Sequence, residues 1–166
     1  DNGRSRGLGD VYKRQSSIFE GRNASRVAKE FSERVWLSWT NRGHQPDQLP
    51  STEALSKAVD FSIEADVECT LINCSHADMA SNSIKELKRA SRFGIFANSS
   101  TFKEVDLSVA TKDVDAIHHL NSEEISAKEY AMIALSWAKE GAFVVGGCCG
   151  TTVEHTREIK LLMDSL

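Results

Sequence analysis

The stretch CTLINCSHADMASNSIKELKRASRFGIFA, residues 69–97, decides the fold. It begins and ends with short apolar runs, Cys69–Asn73 and Phe93–Ala97, which are typical of buried strands. The segment between the runs carries apolar residues at helical spacing, Met79, Ile84 and Leu87. A strand, a helix and a strand in this order form a βαβ unit, so the two strands are predicted to run parallel.

The same alternation continues towards both ends of the chain. Val35–Trp39 and residues 142–146 are two further apolar runs that predict strands. Residues 54–63 carry apolar side chains on one helical stripe, and Pro50 with Ser51 is predicted to open this helix. Four strands separated by helices predict a parallel α/β sheet.

Two capping boxes mark the starts of the C-terminal helices. Ser126 with Glu129 predicts one start, and Gly141 predicts the end of the same helix. Thr151 with Glu154 predicts the start of a final helix that continues to the C-terminus. This second box follows the fourth strand, so that strand, like the others, is succeeded by a helix.

The length of the chain limits the architecture. A complete eight-stranded α/β barrel needs about 250 residues, whereas this chain has 166. The predicted fold class is therefore α/β, either a small open sheet or a partial (β/α)8 TIM barrel. Residues 98–121 show no clear period and predict a long loop or a short helix. Residues 1–15 are too poor in apolar groups to build a core and are predicted to be a non-native or disordered leader, which leaves residues 16–166 as the domain.

Composition excludes several classes of function. The net charge of −4 gives no basic surface for nucleic acid or for anionic lipid. No apolar run is long enough to span a bilayer, so the cytoplasm is the expected compartment. Four cysteines are too few for a disulfide scaffold and, in a reducing compartment, indicate a metal site or catalysis. The oligomeric state is left open by the sequence.

Three cysteines follow the ends of predicted strands. Cys74 comes directly after one strand, and Cys148 and Cys149 follow another. Because the carboxyl ends of parallel strands meet at one rim, the three thiols are expected to lie close together. Three thiolates can hold a zinc ion tetrahedrally and leave a fourth position for water or substrate. Such an open site can bind a thiol and keep it ionised at neutral pH.

Alternatives stay open at this level. The vicinal cysteines could form a disulfide in a thiol-redox module, or the thiols could hold zinc without catalysis.

Other residues near the predicted site are expected to have structural roles. Cys69 lies five residues before Cys74, which places the two on opposite faces of a regular strand, so Cys69 is predicted to be a small buried apolar group. His155 is expected to cap or pack on its helix. Trp36, Trp39 and Trp137 are expected to pack in the core or at the rim, and Trp39, at a strand end, has the best claim among them to a pocket wall.

Several of these segments resemble one known family. Residues 146–152, GGCCGTT, with residues 154–155, EH, resemble the zinc-binding signature of the homocysteine S-methyltransferases. Residues 71–75, LINCS, are similar to the upstream Asn-Cys motif of that family. Residues 35–38 and 96–99 resemble two further strand-end motifs in the same order. The resemblance covers most of the chain, and the cysteine pair in its glycine turn is its specific part.

The resemblance implies a fold and a set of site residues. The fold would be a (β/α)8 TIM barrel, of which this chain would hold about the last four βα units as the C-terminal half. Cys74, Cys148 and Cys149 would be the ligands of Zn²⁺. Asn73 and Asn98 would contact the substrate or support the ligands.

The resemblance also implies an activity. A methyl group would be transferred to the thiol of homocysteine to give methionine, with S-methylmethionine or S-adenosylmethionine as the expected small donor. A methyltransferase that acts on another thiol or a selenol is the alternative within this class. Because the N-terminal half of the pocket is absent, the chain alone is expected to be inactive.

Overall fold

The computed structural model describes residues 10–102 and 122–165. The strands in this part of the chain are, in order, β1 (Asp10–Gln15), β2 (Val35–Trp39), β3 (Cys69–Asn73), β4 (Phe93–Ala97), β5 (Ser100–Phe102), β6 (Ser122–Glu124) and β7 (Val144–Gly147). The helices described are α1 (Ile18–Lys29), α2 (Leu55–Glu64), α3 (Ala77–Asn82), α4 (Ile84–Leu87), α5 (Ala127–Lys139) and α6 (Val153–Met163).

A parallel sheet organises the described residues. Its strand order is β1-β2-β3-β4-β7, and every neighbouring pair is parallel. β5 and β6 form a separate antiparallel pair. The predicted α/β class with a parallel sheet is confirmed. Since all five main strands run the same way, their carboxyl ends lie at one edge, and this edge carries the thiols.

Alternate residues of the strands serve two different cores. Leu37, Ile72 and Ile95 are fully buried in the larger cluster, which also contains the apolar side chains of the helices. Trp36 and Leu71 belong to a smaller cluster on the opposite face of the sheet. Strands buried on both faces appear in a sequence as continuous apolar runs, and for this reason the bounds predicted for β2, β3 and β4 are the observed ones.

Strand β1 lies inside the segment predicted to be a leader. It pairs with β2, with Asp10 opposite Val35 and Gln15 opposite Trp39. Residues 10–15 are therefore ordered in the sheet rather than disordered, because the open edge of β2 offers them a ladder of backbone hydrogen bonds. That the leader is foreign to the protein stays a prediction. Residues 1–9 lie outside the described residues.

Helix α2 begins later than predicted. Its N-cap is Ala54, which has no side-chain cap, so the prediction that Pro50 and Ser51 open it is wrong. The backbone N–H of Leu49 donates to the carbonyl of Glu53, and Thr52 takes a positive φ of 72°. The turn uses the carbonyl of Glu53, which a helix beginning at Ser51 would need for its own hydrogen bonds. Helix α2 therefore begins after the turn, at Leu55.

The helix between β3 and β4 is divided in two. α3 ends at Asn82, and Ser83 stands between it and α4. The hydroxyl of Ser83 donates to the carbonyl of Met79 at 3.0 Å and is also 3.0 Å from the carbonyl of Pro46. A serine that bonds back to the preceding turn competes with the helical ladder, which accounts for the break.

The predicted capping boxes have different outcomes. The box of Ser126 and Glu129 is present at the start of α5, and Gly141 follows this helix with a φ of +99°. The second box is formed by Thr152 with His155, one residue later than the predicted pair. The hydroxyl of Thr151 is instead used in the preceding turn, where it donates to the carbonyl of Cys148 at 2.7 Å.

Two further observations complete the fold. Residues 98–121 were predicted to form a loop or a short helix, and β5 occupies their beginning at Ser100–Phe102, while residues 103–121 lie outside the described residues. Among the described residues, no helix combines the length and the apolar character needed to cross a bilayer.

Candidate metal centre

The three rim cysteines converge, as their positions after β3 and β7 predict. The Sγ atoms of Cys74, Cys148 and Cys149 all lie within 4.8 Å of one another. Cys74 Sγ is 3.5 Å from Cys149 Sγ, and Cys149 Sγ is 3.9 Å from Cys148 Sγ. Cys74 and Cys148 are partly buried, while Cys149 is exposed. The cluster therefore sits at the surface of the rim, where small molecules can reach it.

The sulfur positions fit a zinc ion. Sulfurs about 2.3 Å from a tetrahedral zinc lie about 3.8 Å from one another. The observed separations of 3.5 and 3.9 Å bracket this value. Three thiolates also leave one tetrahedral position open, which is the arrangement of a catalytic rather than a structural zinc site.

Hydrogen bonds from both neighbouring strands hold the loop that carries Cys74. Cys74 has a φ of +58°, a left-handed conformation that is unfavourable for a residue with a Cβ. Its N–H donates to the carbonyl of Phe96 at 3.0 Å. The next residue, Ser75, accepts the N–H of Asn98 at its carbonyl (2.8 Å) and the N–H of Asn41 at its hydroxyl (3.0 Å). These bonds keep Cys74 in a strained turn at the end of β3.

The end of β4 also holds the turn that carries the vicinal cysteines. Cys148 N–H donates to the carbonyl of Ala97 at 2.8 Å, and Cys149 N–H donates to Asn98 Oδ1 at 3.1 Å. The carbonyl of Cys149 accepts the N–H of Ser99 at 3.0 Å. Gly150 has a φ of +77°, and a Cβ there would lie 2.5 Å from Ser99 Oγ. A glycine is thus needed for the turn to pack against β4.

Burial and the neighbouring thiols disfavour ionisation of Cys74. Burial first, and then the hydrogen bond with the Cys149 thiol, raises the pKa of Cys74 to about 12. The metal-free Cys74 thiol is therefore protonated at neutral pH, and binding of a metal ion must release its proton. Cys69 differs, because it is fully buried beside Trp36 and Leu71, and this burial raises its pKa to about 12. Its predicted role as a buried apolar group is confirmed.

The two asparagines predicted as site residues occupy the ends of β3 and β4. Asn73 is buried, its Nδ2 donates to the carbonyl of Phe96 at 3.1 Å, and its Oδ1 has no partner among the described residues. Asn98 accepts the Cys149 N–H at Oδ1. Asn98 therefore joins both thiol loops, through its backbone to Ser75 and through its side chain to Cys149.

The sequence of the chain matches a known protein family. Residues 14–163 match the model of the homocysteine S-methyltransferase family. The chain belongs to this family. A curated member, homocysteine S-methyltransferase YbgG of Bacillus subtilis (strain 168), is 26% identical over 152 residues, which are 90% of this chain and 44% of YbgG.

Solved structures of one family member share the fold. The apo form of the homocysteine methyltransferase MmuM from Escherichia coli superposes with a TM-score of 0.63 at 17% identity, over 91% of this chain and 48% of MmuM. The metallated form gives a TM-score of 0.64 at 16% identity, over 93% and 45% of the two chains. The fold is thus a partial (β/α)8 barrel. The chain spans less than half the length of these relatives.

One residue near the thiols was not recognised from the sequence. The Tyr130 hydroxyl lies 2.9 Å from the carbonyl of Ala97 and 2.8 Å from that of Gly146, so it bridges the ends of β4 and β7. Burial raises the pKa of Tyr130, which keeps this hydroxyl protonated as a donor. His155, which was expected to cap or pack, takes part in the cap of α6. A tyrosine on the apolar stripe of a helix was a signal, because a buried hydroxyl needs a partner.

The contact between Asn98 and Cys149 gives a first prediction. Asn98→Ala removes the acceptor of the Cys149 N–H, and we expect zinc affinity to fall about tenfold, the lower end of losses seen for groups that orient metal ligands. Competition with a chromophoric chelator measures this affinity. Asn82→Ala removes an exposed asparagine at the end of α3 and is the matched control. Equal affinities of the two variants would contradict the assignment.

Proposed function

We propose that this chain is the C-terminal half of a zinc-dependent homocysteine S-methyltransferase barrel. The observation that carries the proposal is the convergence of three thiols from two strand ends, with separations that fit a tetrahedral metal. Membership of the family supports methyl transfer to homocysteine. Zinc is the metal that fits an all-thiolate set with one open position.

The chain's own residues have distinct tasks in this proposal. Cys74, Cys148 and Cys149 hold Zn²⁺, which when bound supplies the Lewis acidity that keeps a substrate thiol ionised at neutral pH. Asn73 Oδ1, buried and without a partner among the described residues, is an acceptor for an N–H of the substrate. Asn98 Nδ2 is a donor that forms no hydrogen bond within the described part of the chain, and it serves a substrate oxygen. Both amides flank the thiols, so they orient the amino acid relative to its sulfur.

The reaction itself is an in-line transfer of a methyl group. The thiolate sulfur of homocysteine forms the new carbon–sulfur bond, and the bond from the methyl carbon to the donor breaks with its electron pair staying on the donor. The product is methionine. A sulfonium donor, S-methylmethionine or S-adenosylmethionine, leaves as a neutral thioether, which needs no acid to assist it. We place this reaction in the cytoplasm, and we expect the chain without the other half of the barrel to be inactive.

Binding of homocysteine to the loaded chain tests the proposal. Cobalt(II) replaces zinc as the probe, because its absorption reports each thiolate ligand. We expect one ion per chain and a further change in the thiolate absorption when homocysteine is added. Homoserine, which carries a hydroxyl in place of the thiol, is the control and should leave the spectrum unchanged. No bound ion in the reduced, folded chain would overturn the proposal.

A second candidate function has one observation in its favour. The 3.5 Å separation of Cys74 Sγ and Cys149 Sγ brings two thiols nearly into contact, as a thiol-redox module requires. Such a module would bind no metal and would lose two thiols on mild oxidation. Thiol counting with and without zinc separates the candidates, since a metal site protects all three thiols at once. A noncatalytic zinc site would bind the ion but give no response to homocysteine.

A further inference from the structure

A buried histidine lies at the start of the helix that follows the vicinal cysteines. His155 is 9% exposed and occupies the third position of α6. Its Nδ1 accepts the backbone N–H of Thr152 at 3.1 Å and lies 3.0 Å from the Thr152 hydroxyl. The pair forms a capping box in which histidine takes the place usually held by Glu or Gln.

We propose that His155 is a positioning residue for Cys148 and Cys149. It caps helix α6 with a neutral ring, so it fixes the cysteine turn without adding a negative charge to the helix terminus. The inference rests on the proposed metal site, because it concerns the ligands of that site. His155 touches neither substrate nor metal in this assignment. It acts through the turn that joins the vicinal cysteines to α6.

The hydrogen bonds of the ring define its charge state. An Nδ1 that accepts an amide N–H carries no proton, so the ring proton is on Nε2 and the ring is neutral. Nε2 is buried and has no hydrogen-bond partner among the described residues. A doubly protonated ring would direct an N–H at the N–H of Thr152 and lose the cap. The geometry therefore requires the neutral form.

The cap is connected to the thiols along a short path. Residues 148–151 form a turn, closed by the Thr151 N–H and hydroxyl on the carbonyl of Cys148 at 3.3 and 2.7 Å. Thr152, the residue that His155 caps, comes directly after this turn. The cap therefore fixes one end of the turn, while the bonds from β4 fix the other.

A second contact joins His155 to the strand ends. Its ring stands at 75° to the ring of Tyr130, with the centroids 5.6 Å apart. Tyr130 in turn bridges the carbonyls of Ala97 and Gly146, and Ala97 also accepts the N–H of Cys148. Displacement of the His155 ring would thus disturb two supports of the same cysteine turn.

The choice of histidine has an electrostatic reason. Glu at this position would cap equally well and would complement the positive end of the helix dipole. It would, however, add a negative charge to the first turn of the helix that follows the vicinal cysteines, whose thiolates and that of Cys74 already repel one another. The first turn does contain Glu154, but its carboxylate is solvated and ion-paired with Arg157 at 3.1 Å. A neutral acceptor at position 155 leaves the positive helix terminus available to the thiolates.

Three variants test the proposal. His155→Gln keeps a neutral acceptor, His155→Glu keeps an acceptor but adds charge, and His155→Ala removes the acceptor. We expect zinc affinity to be reduced less than about twofold in the Gln variant and about fivefold in the other two, since one cap or one nearby charge typically changes an equilibrium constant by up to about a factor of five. Urea unfolding of the metal-free chain should distinguish His155→Glu from His155→Ala, because only His155→Ala loses the cap and with it part of the free energy of unfolding.

The control is the equivalent position of a distant helix. Glu20 is the third residue of α1, where its carboxylate accepts the N–H and hydroxyl of Ser16 at 2.8 and 2.7 Å. Glu20→Ala should lower stability to urea about as much as His155→Ala while leaving zinc affinity unchanged. Equal zinc affinities of the Gln and Glu variants, or an unchanged affinity of His155→Ala, would overturn the proposal.

Amide hydrogen exchange separates this inference from the proposed function. In the metal-free chain, His155→Ala should speed exchange at Cys149 and Thr152 at least tenfold relative to His155→Gln, since the cap no longer fixes the turn. This readout requires neither zinc nor homocysteine. Absence of zinc binding in the parent chain would refute the metal site, whereas unchanged exchange in the Ala variant would refute the positioning role.

Discussion

Replacement of any one of Cys74, Cys148 and Cys149 by serine is expected to weaken zinc binding by more than about 100-fold. Changes to residues that merely orient metal ligands already cost about 10- to 100-fold, and a lost thiolate removes a bond to the metal itself. With only two thiolates, a tetrahedral zinc ion has two remaining positions, and these must be filled by weakly bound water molecules. Competition with a chelator of known affinity, on reduced chain, measures the loss.

The matched control for this prediction is the fourth cysteine. Cys69→Ala removes a thiol of the same strand that leads to Cys74, but Cys69 is fully buried in the cluster with Trp36 and Leu71. Its zinc affinity should equal that of the parent. Retention of tight binding by Cys74→Ser, with loss in both vicinal variants, would show that the two loops do not share one metal. Equal loss in all three variants would support a single ion held from both strand ends.

The convergence of the thiols was predictable because it depends on chain direction alone. Cys74 and the vicinal pair follow parallel strands, and parallel strands end at one rim whatever lies between them. The strands themselves were predictable because both of their faces are buried, which makes them continuous apolar runs. Neither prediction required knowledge of how individual side chains pack.

The errors arose where local hydrogen bonds compete. Ser51 and Thr151 both carry hydroxyls that suit an N-cap, so the sequence pattern could not exclude them. In the fold, Thr151 bonds to the carbonyl of Cys148, and the cap passes to Thr152. His155 was expected to cap or pack, but its place in a capping box was not predicted, since the usual box has Glu or Gln three residues after the N-cap. A histidine that uses a neutral ring nitrogen can fill the same position, but composition does not reveal its tautomer.

The role of Asn98 shows a second limit of the sequence. Its position after β4 placed it at the rim, but a substrate contact and a support of the ligands were equally compatible with that position. The structure shows that its Oδ1 is bound to the Cys149 N–H and its N–H to the Ser75 carbonyl. Because the two loops meet only in three dimensions, this linkage between residues 51 positions apart could not be inferred from spacing.

Trp39→Ala is expected to lower the free energy of unfolding by about 3–5 kcal/mol, the usual cost of emptying a site filled by a large aromatic side chain. Trp39 was expected to pack in the core or at the rim, with a pocket wall as its alternative role. The core position is confirmed, because the side chain is fully buried on the helical side of the sheet. Its indole N–H donates to the hydroxyl of Ser62 at 3.0 Å, and its ring stands edge to face with Phe61 at 6.2 Å. Urea unfolding of the reduced chain measures the change.

Helix α1 packs directly on Trp39, so the surrounding structure cannot readily fill the space that removal of the ring would leave. A Cβ at Gly21 would lie 2.2 Å from the indole, so the helix passes directly over the ring. Removal of the ring leaves a cavity that the helix cannot fill with a side chain of its own. Phe19→Ala, on the same helix but 73% exposed, should change stability by less than about 1 kcal/mol. If Trp39→Ala were no more destabilising than Phe19→Ala, α1 would not be packed on the sheet as observed. Zinc affinity of the folded Trp39→Ala chain should be unchanged, since the thiols are held by β3, β4 and β7.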